Sequence, residues 1–115
     1  MRLRALFSAV VLFFATSAFS QDVGPTTSFK NGVALYEACT AASESAKLAF
    51  CLGYVMGVSD SLQSLHLTCS PKEATGQQVV DLVVNRLRDH PDVRQYVAAQ
   101  EVTLALVKAF PCSKK

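Results

Sequence analysis

Charge is scarce in this chain and nearly cancels: 17% of its 115 residues are Asp, Glu, Lys or Arg, with eleven basic side chains against nine acidic ones. Two of the basic ones, Arg2 and Arg4, lie at the extreme N-terminus, so beyond it nine face nine. A neutral surface without basic runs or interleaved aromatics argues against nucleic acid as a partner and against electrostatic docking on an anionic membrane. Catalytic signatures are missing too. No serine sits in a nucleophile elbow, and neither a glycine-rich phosphate loop nor an H-E-x-x-H is present, so the chain reads as a non-enzyme. The four cysteines contain no C-x-x-C pair, being spaced by 12, 18 and 43 positions, which disfavours zinc; no metal and no cofactor is expected. Strand-type alternation, internal repeats and low-complexity tracts are lacking after residue 20, which leaves an all-α fold.

The N-terminus supplies an address. Arg2 and Arg4 precede an apolar run from Ala5 to Ala15, and Ala18 and Ser20 occupy the minus-three and minus-one positions of a cleavage site before Gln21. Residues 1–20 read as a cleavable signal peptide, because the run is shorter than the roughly 20 residues of a membrane-spanning helix and no later segment replaces it. The expected location is the periplasm, with no membrane span after signal removal. All four cysteines (Cys39, Cys51, Cys69, Cys112) lie in the exported part. An even number in a small exported domain reads as a framework of two disulfides.

Residues 21–30 hold Gly24, Pro25 and a Thr26-Thr27-Ser28 run and read as a flexible lead-in to one helical domain over 31–115. Asn31 can cap a first helix over about 32–42, with Val33, Ala34, Tyr36 and Ala38 at helical spacing. A polar break at Ser43-Glu44-Ser45 precedes a second helix over about 46–67, whose stripe is Leu48, Cys51, Leu52, Val55, Met56, Ser59, Leu62 and Leu65. Gly53 and Gly57 each cost about 1 kcal/mol inside it, so another backbone is expected to pass close to them. Thr75 and Gln78 have capping-box spacing for a third helix, in which Val79, Val80, Val83, Val84 and Leu87 share one face and Gln77, Asp81, Asn85, Arg88 and Asp89 the other. Pro91 breaks that helix and suits the first turn of a fourth, over about 91–109. This last helix has two apolar faces. One is Val93, Tyr96, Val97, Gln100, Leu104 and Val107; the other is Val102, Leu106 and Phe110, and the surplus implies a central place in the bundle or a homodimer in which Leu106 is a contact.

The expected fold is thus a compact all-α bundle of about four helices stapled by two disulfides. Short connections make successive helices antiparallel, which brings Cys39 beside Cys51 and Cys112 back to Cys69. These pairings are favoured over the other two connectivities. Candidate chemistry is thin: His66 and Asp60 are six positions apart and face different ways, His90 with Asp89 and Asp92 sits in a polar connection suited to caps and turns, and Asp60 ends a nearly uncharged stretch.

Several features in order resemble one family: the Asn31-Gly32 helix start, Cys39, the segment Phe50-Cys51-Leu52-Gly53-Tyr54 leading to Asp60, Cys69-Ser70-Pro71, Thr75-Gly76-Gln77, His90-Pro91, and Ala109-Phe110-Pro111-Cys112. Together they resemble the Rap/Tai immunity proteins of bacterial type VI secretion systems. The resemblance implies a periplasmic helical protein whose partner is a cell-wall amidase effector. It implies occlusion of that enzyme's cleft, with no catalytic residue of the inhibitor's own. The expected contact residues are those of the polar face of the third helix and the connection after it: Asp81, Asn85, Arg88, Asp89, His90, Asp92 and Arg94. Two other readings stay open, an orphan periplasmic binding module and a small acid-stress chaperone that exposes its surplus apolar face.

Overall fold

The computed structural model describes residues 30–113; the expected signal peptide and almost all of the expected lead-in lie outside the described residues. Four α-helices follow one another: α1 (Gly32–Cys39), α2 (Ala46–Ser64), α3 (Gly76–Asp89) and α4 (Ala98–Ala109), with a 3-10 helix at Pro91–Gln95 between the last two. Each of the first three starts at a side-chain cap. Asn31, Ser45 and Thr75 accept hydrogen bonds from the backbone N–H groups of Ala34, Leu48 and Gln78 at 3.0, 3.1 and 3.2 Å. At α3 the box closes, because the Gln78 side chain also accepts from the Thr75 N–H at 2.9 Å.

Helix α2 packs against α1, α3 and α4. The core is built from Leu35 of α1, Cys51, Val55 and Leu62 of α2, Val79, Val80, Val83, Val84 and Leu87 of α3, and Ala98, Val102, Ala105 and Leu106 of α4. Every valine expected on the inner face of α3 is buried, as its pattern requires. Both expected disulfides are present, Cys39–Cys51 and Cys69–Cys112.

Three helix ends differ from the sequence reading. Helix α1 stops at Cys39 rather than near residue 42, and the Tyr36 carbonyl accepts from both the N–H and the hydroxyl of Thr40, at 3.0 and 2.8 Å. Helix α2 stops at Ser64, because His66 adopts a left-handed φ of 57°. The His66 N–H then donates to the Gln63 carbonyl and the Leu67 N–H to the Leu62 carbonyl, the paired bonds of a Schellman ending. Leu65 therefore leaves the core stripe and is 67% exposed.

The third difference splits the expected fourth helix. Tyr96 and Val97 are extended and pair with the chain entering α1: the Gly32 N–H donates to the Tyr96 carbonyl and the Ala98 N–H to the Lys30 carbonyl, both at 2.9 Å, forming a single antiparallel bridge between Asn31 and Val97. A continuous helix would have consumed those groups. The close backbone approach assigned to Gly53 and Gly57 is here instead. A Cβ on Gly32 would lie 2.8 Å from the Arg94 carbonyl oxygen and 2.9 Å from its Cα, whereas one on Gly53 or Gly57 would meet nothing within 4 Å. Gly32→Ala must push α1 off the 3-10 helix, at an expected cost of about 1–3 kcal/mol. Gly53→Ala and Gly57→Ala should each stabilise by about 1 kcal/mol. Thermal melts of the three variants check this, and a harmless Gly32→Ala would refute the close approach.

Candidate partner-binding surface

The face roles within α4 are the reverse of a dimer built on Leu106. Val102 and Leu106 are fully buried, while Tyr96, Val97, Leu104 and Val107 are 38–50% exposed. The outward apolar positions thus belong to the Tyr96–Val107 set, and a charge at Leu106 would disrupt the monomer's own core.

The outer edge of α3 is polar and ordered along its length. Gln77 donates from Nε2 to Asp81 Oδ1 at 2.8 Å and Arg88 from Nη1 to Asn85 Oδ1 at 2.9 Å, pairs that follow from helical spacing. Asp81, Asn85 and Arg88 are therefore neighbours on one exposed face, and Asp89, His90 and Asp92 continue it, all exposed, around the end of α3. Arg94 is placed differently. Its side chain turns inward, with Nε donating to the Leu87 carbonyl at 2.6 Å and Nη2 to the Arg88 carbonyl at 3.5 Å, and its guanidinium lies 4.0 Å from the centroid of the Tyr36 ring. It satisfies the last carbonyls of α3, where a cation also complements the helix dipole.

Two grooves flank this scaffold. One, of about 500 Å³, runs between the turn after Pro71, the first half of α3 and Phe110; Leu82, Ala74 and Phe110 supply apolar surface, and Glu73, Asp81 and Asn85 polar groups. The second, of about 420 Å³, lies between α1 and the start of α2, with Lys30, Lys47, Glu37 and Phe50 on its walls; Lys30 Nζ is 5.9 Å from the Phe50 ring centroid. Leu82, Glu73 and Phe110 were not among the expected contact residues. Phe110 did stand out as the end of an apolar i, i+4, i+8 series, and the expected Cys69–Cys112 bridge already brought it back toward the turn at Pro71, but no periodicity marked the two as walls of one groove.

A charge pair that the pattern hides reaches the interior. Glu101, 1% exposed, accepts from Arg86 Nε at 2.8 Å. The signal for it was a carboxylate at helical spacing from Ala98 and Ala105 on the buried side of α4. Nearby, burial raises the Tyr54 hydroxyl above its ordinary pKa, and a backbone hydrogen bond with Ala99 lowers it part of the way back. Among the described residues, no three His, Cys, Asp or Glu side chains are grouped to hold a metal ion, and no helix is long and apolar enough to cross a membrane.

The family model of the Rap1a immunity proteins matches residues 31–112. The match starts on the Asn31 cap and ends on the second cysteine of the Cys69–Cys112 bridge, so it takes in all four helices. The chain belongs to this family. No curated protein and no solved structure matches the chain. As a Rap1a immunity protein it has an immunity function directed at an effector, and the effector is its protein partner. Its two disulfides are compatible with an exported protein.

Proposed function

We propose that this Rap1a immunity protein acts in the periplasm, after removal of residues 1–20, by binding a cognate type VI secretion peptidoglycan amidase and covering its active-site cleft. The observation that carries the reading is the family match over the whole stapled domain. Occlusion asks for shape and affinity rather than chemistry. Protection at low copy number calls for nanomolar binding, about 12 kcal/mol, over roughly 800 Å² per partner. A surface held by two disulfides and three side-chain caps loses little further freedom on docking. The exposed face formed by Asp81, Asn85, Arg88, Asp89, His90 and Asp92 is the proposed contact region, and Arg94 supports it from within.

The test is periplasmic co-expression with a panel of type VI peptidoglycan amidases. The expected result is that lysis by one of them is suppressed and that the purified pair forms a stoichiometric complex without stem-peptide cleavage. Unchanged lysis by every amidase would sink the amidase assignment. An acid-stress chaperone instead predicts a rise in binding of an apolar dye between about pH 7 and pH 3, and a flat response counts against it.

A homodimer, if this protein forms one, belongs on the outward face of α4. Leu104, 45% exposed, and Val107, 38% exposed, are its central positions. Leu104→Glu should halve the mass seen by light scattering while leaving the melting temperature of the fold nearly unchanged. An undiminished mass removes this face from consideration.

A further inference from the structure

We infer that the groove between the Pro71 turn, α3 and Phe110 receives a basic segment of the effector, an arginine or lysine flanked by an apolar side chain. This rests on the immunity reading and adds to it the surface used and the chemistry presented to it.

The charge of the groove is of one sign. Glu73 and Asp81 are exposed on its walls and none of its lining residues is basic, whereas the groove beside α1 carries Lys30 and Lys47. Half-buried Leu82 and Phe110 line the same groove, an apolar bed for the methylene stem of a long cationic side chain. The groove is open to solvent, and its volume of about 500 Å³ has room for two or three side chains laid along the surface. Exposed carboxylates and apolar surface lining one groove match a guanidinium or ammonium on its stem, and the carboxylates repel an acidic segment.

The groove is also held in shape. The Cys69–Cys112 bridge ties together the two segments that supply its walls, lying two positions before Pro71 on one and two after Phe110 on the other. The Cys69 N–H donates to the Phe110 carbonyl at 2.9 Å, and the Ala74 N–H to the Pro71 carbonyl at 3.0 Å. The Thr75–Gln78 capping box fixes the start of α3 directly after that turn. Such a surface needs no rearrangement to accept its occupant.

The decisive experiment follows backbone amide shifts of the oxidised protein during titration with two blocked peptides, Leu-Arg-Leu and Leu-Glu-Leu. The expected result is that the arginine peptide shifts residues 71–85 and Phe110 and half-saturates at about tenfold lower concentration than the glutamate peptide. Combining Glu73→Gln with Asp81→Asn should erase that preference. Equal binding of the two peptides, or shifts centred elsewhere, overturns the inference.

A second arm uses the amidase found by co-expression. Glu73→Lys with Asp81→Lys should weaken its complex about a hundredfold, while Lys108→Glu, outside the groove, should leave it unchanged. Both reversed residues are exposed, so the melting temperature should hold. If the double reversal binds as tightly as the parent, the groove is wrong and the immunity function stands. If the parent protects against no amidase, that function fails and the peptide titration alone decides the groove.

Discussion

Arg86→Ala should cost about 3–5 kcal/mol, a large share of what a domain of this size has to lose. The reason is the carboxylate it leaves behind. Glu101 is 1% exposed and sits in the first turn of α4 on its buried face, flanked by Ala98, Val102 and Ala105. Its charge is tolerable there because Arg86 Nε reaches it at 2.8 Å while the rest of that guanidinium remains 23% exposed and in touch with water. Truncating the arginine keeps the desolvation of the acid and deletes its compensation. Replacing both residues by apolar ones, Arg86→Met with Glu101→Leu, removes cost and compensation together and should recover most of the loss. The pair is a test of mechanism. Urea unfolding of the two singles and the double gives the coupling energy, and a double variant no more stable than Arg86→Ala would show that packing of the arginine stem, not the stranded charge, dominates. Because the pair joins the last turn of α3 to the first turn of α4, its loss should also loosen the support behind the exposed end of α3.

That pair marks the boundary of what the sequence could disclose. Features settled within three or four residues were legible: the Asn31 and Thr75 caps answer local N–H groups, and the five buried apolar residues of α3 follow from a single periodicity. The disulfide pairing was legible too, since short connections force antiparallel neighbours. What escaped was decided between segments far apart in the chain. The break at Tyr96–Val97 exists because Lys30 and Gly32 need main-chain partners there, and no property of residues 91–109 announces it. Gly53 and Gly57 drew attention by their spacing, yet the glycine under steric demand is Gly32, against the backbone of Arg94. Arg94 reads as one more surface charge until the Leu87 carbonyl and the Tyr36 ring are placed around it. The contact face was half legible: the polar edge of α3 is a periodicity, but the acidic groove needs Phe110 brought back to the Pro71 turn by the Cys69–Cys112 bridge.

Removing that bridge, by Cys69→Ser with Cys112→Ser, should cost about 4 kcal/mol, equivalent to roughly 20 °C in melting temperature. The bridge closes a loop of 43 positions that contains α3, the 3-10 helix and α4, so most of its effect falls on the unfolded chain, which loses the freedom to separate the end of α2 from the C-terminus. Serine is a tolerable replacement, because Cys69 is exposed and Cys112 only half-buried. Two observables separate the possible origins. If the unfolded ensemble carries the effect, the denaturant slope should rise in the variant, since an uncrosslinked chain exposes more surface when it unfolds. If the native state carries it, the slope should stay put while amide exchange accelerates locally around Cys69 and Phe110, whose backbone bond of 2.9 Å is then the main tie across the gap. The expected result is a raised slope with little local exchange, which would make the bridge a device for keeping the domain folded outside the cell's reducing interior. Fast local exchange would instead make it chiefly the clamp of the groove, and the variant should then lose partner binding while it is still folded.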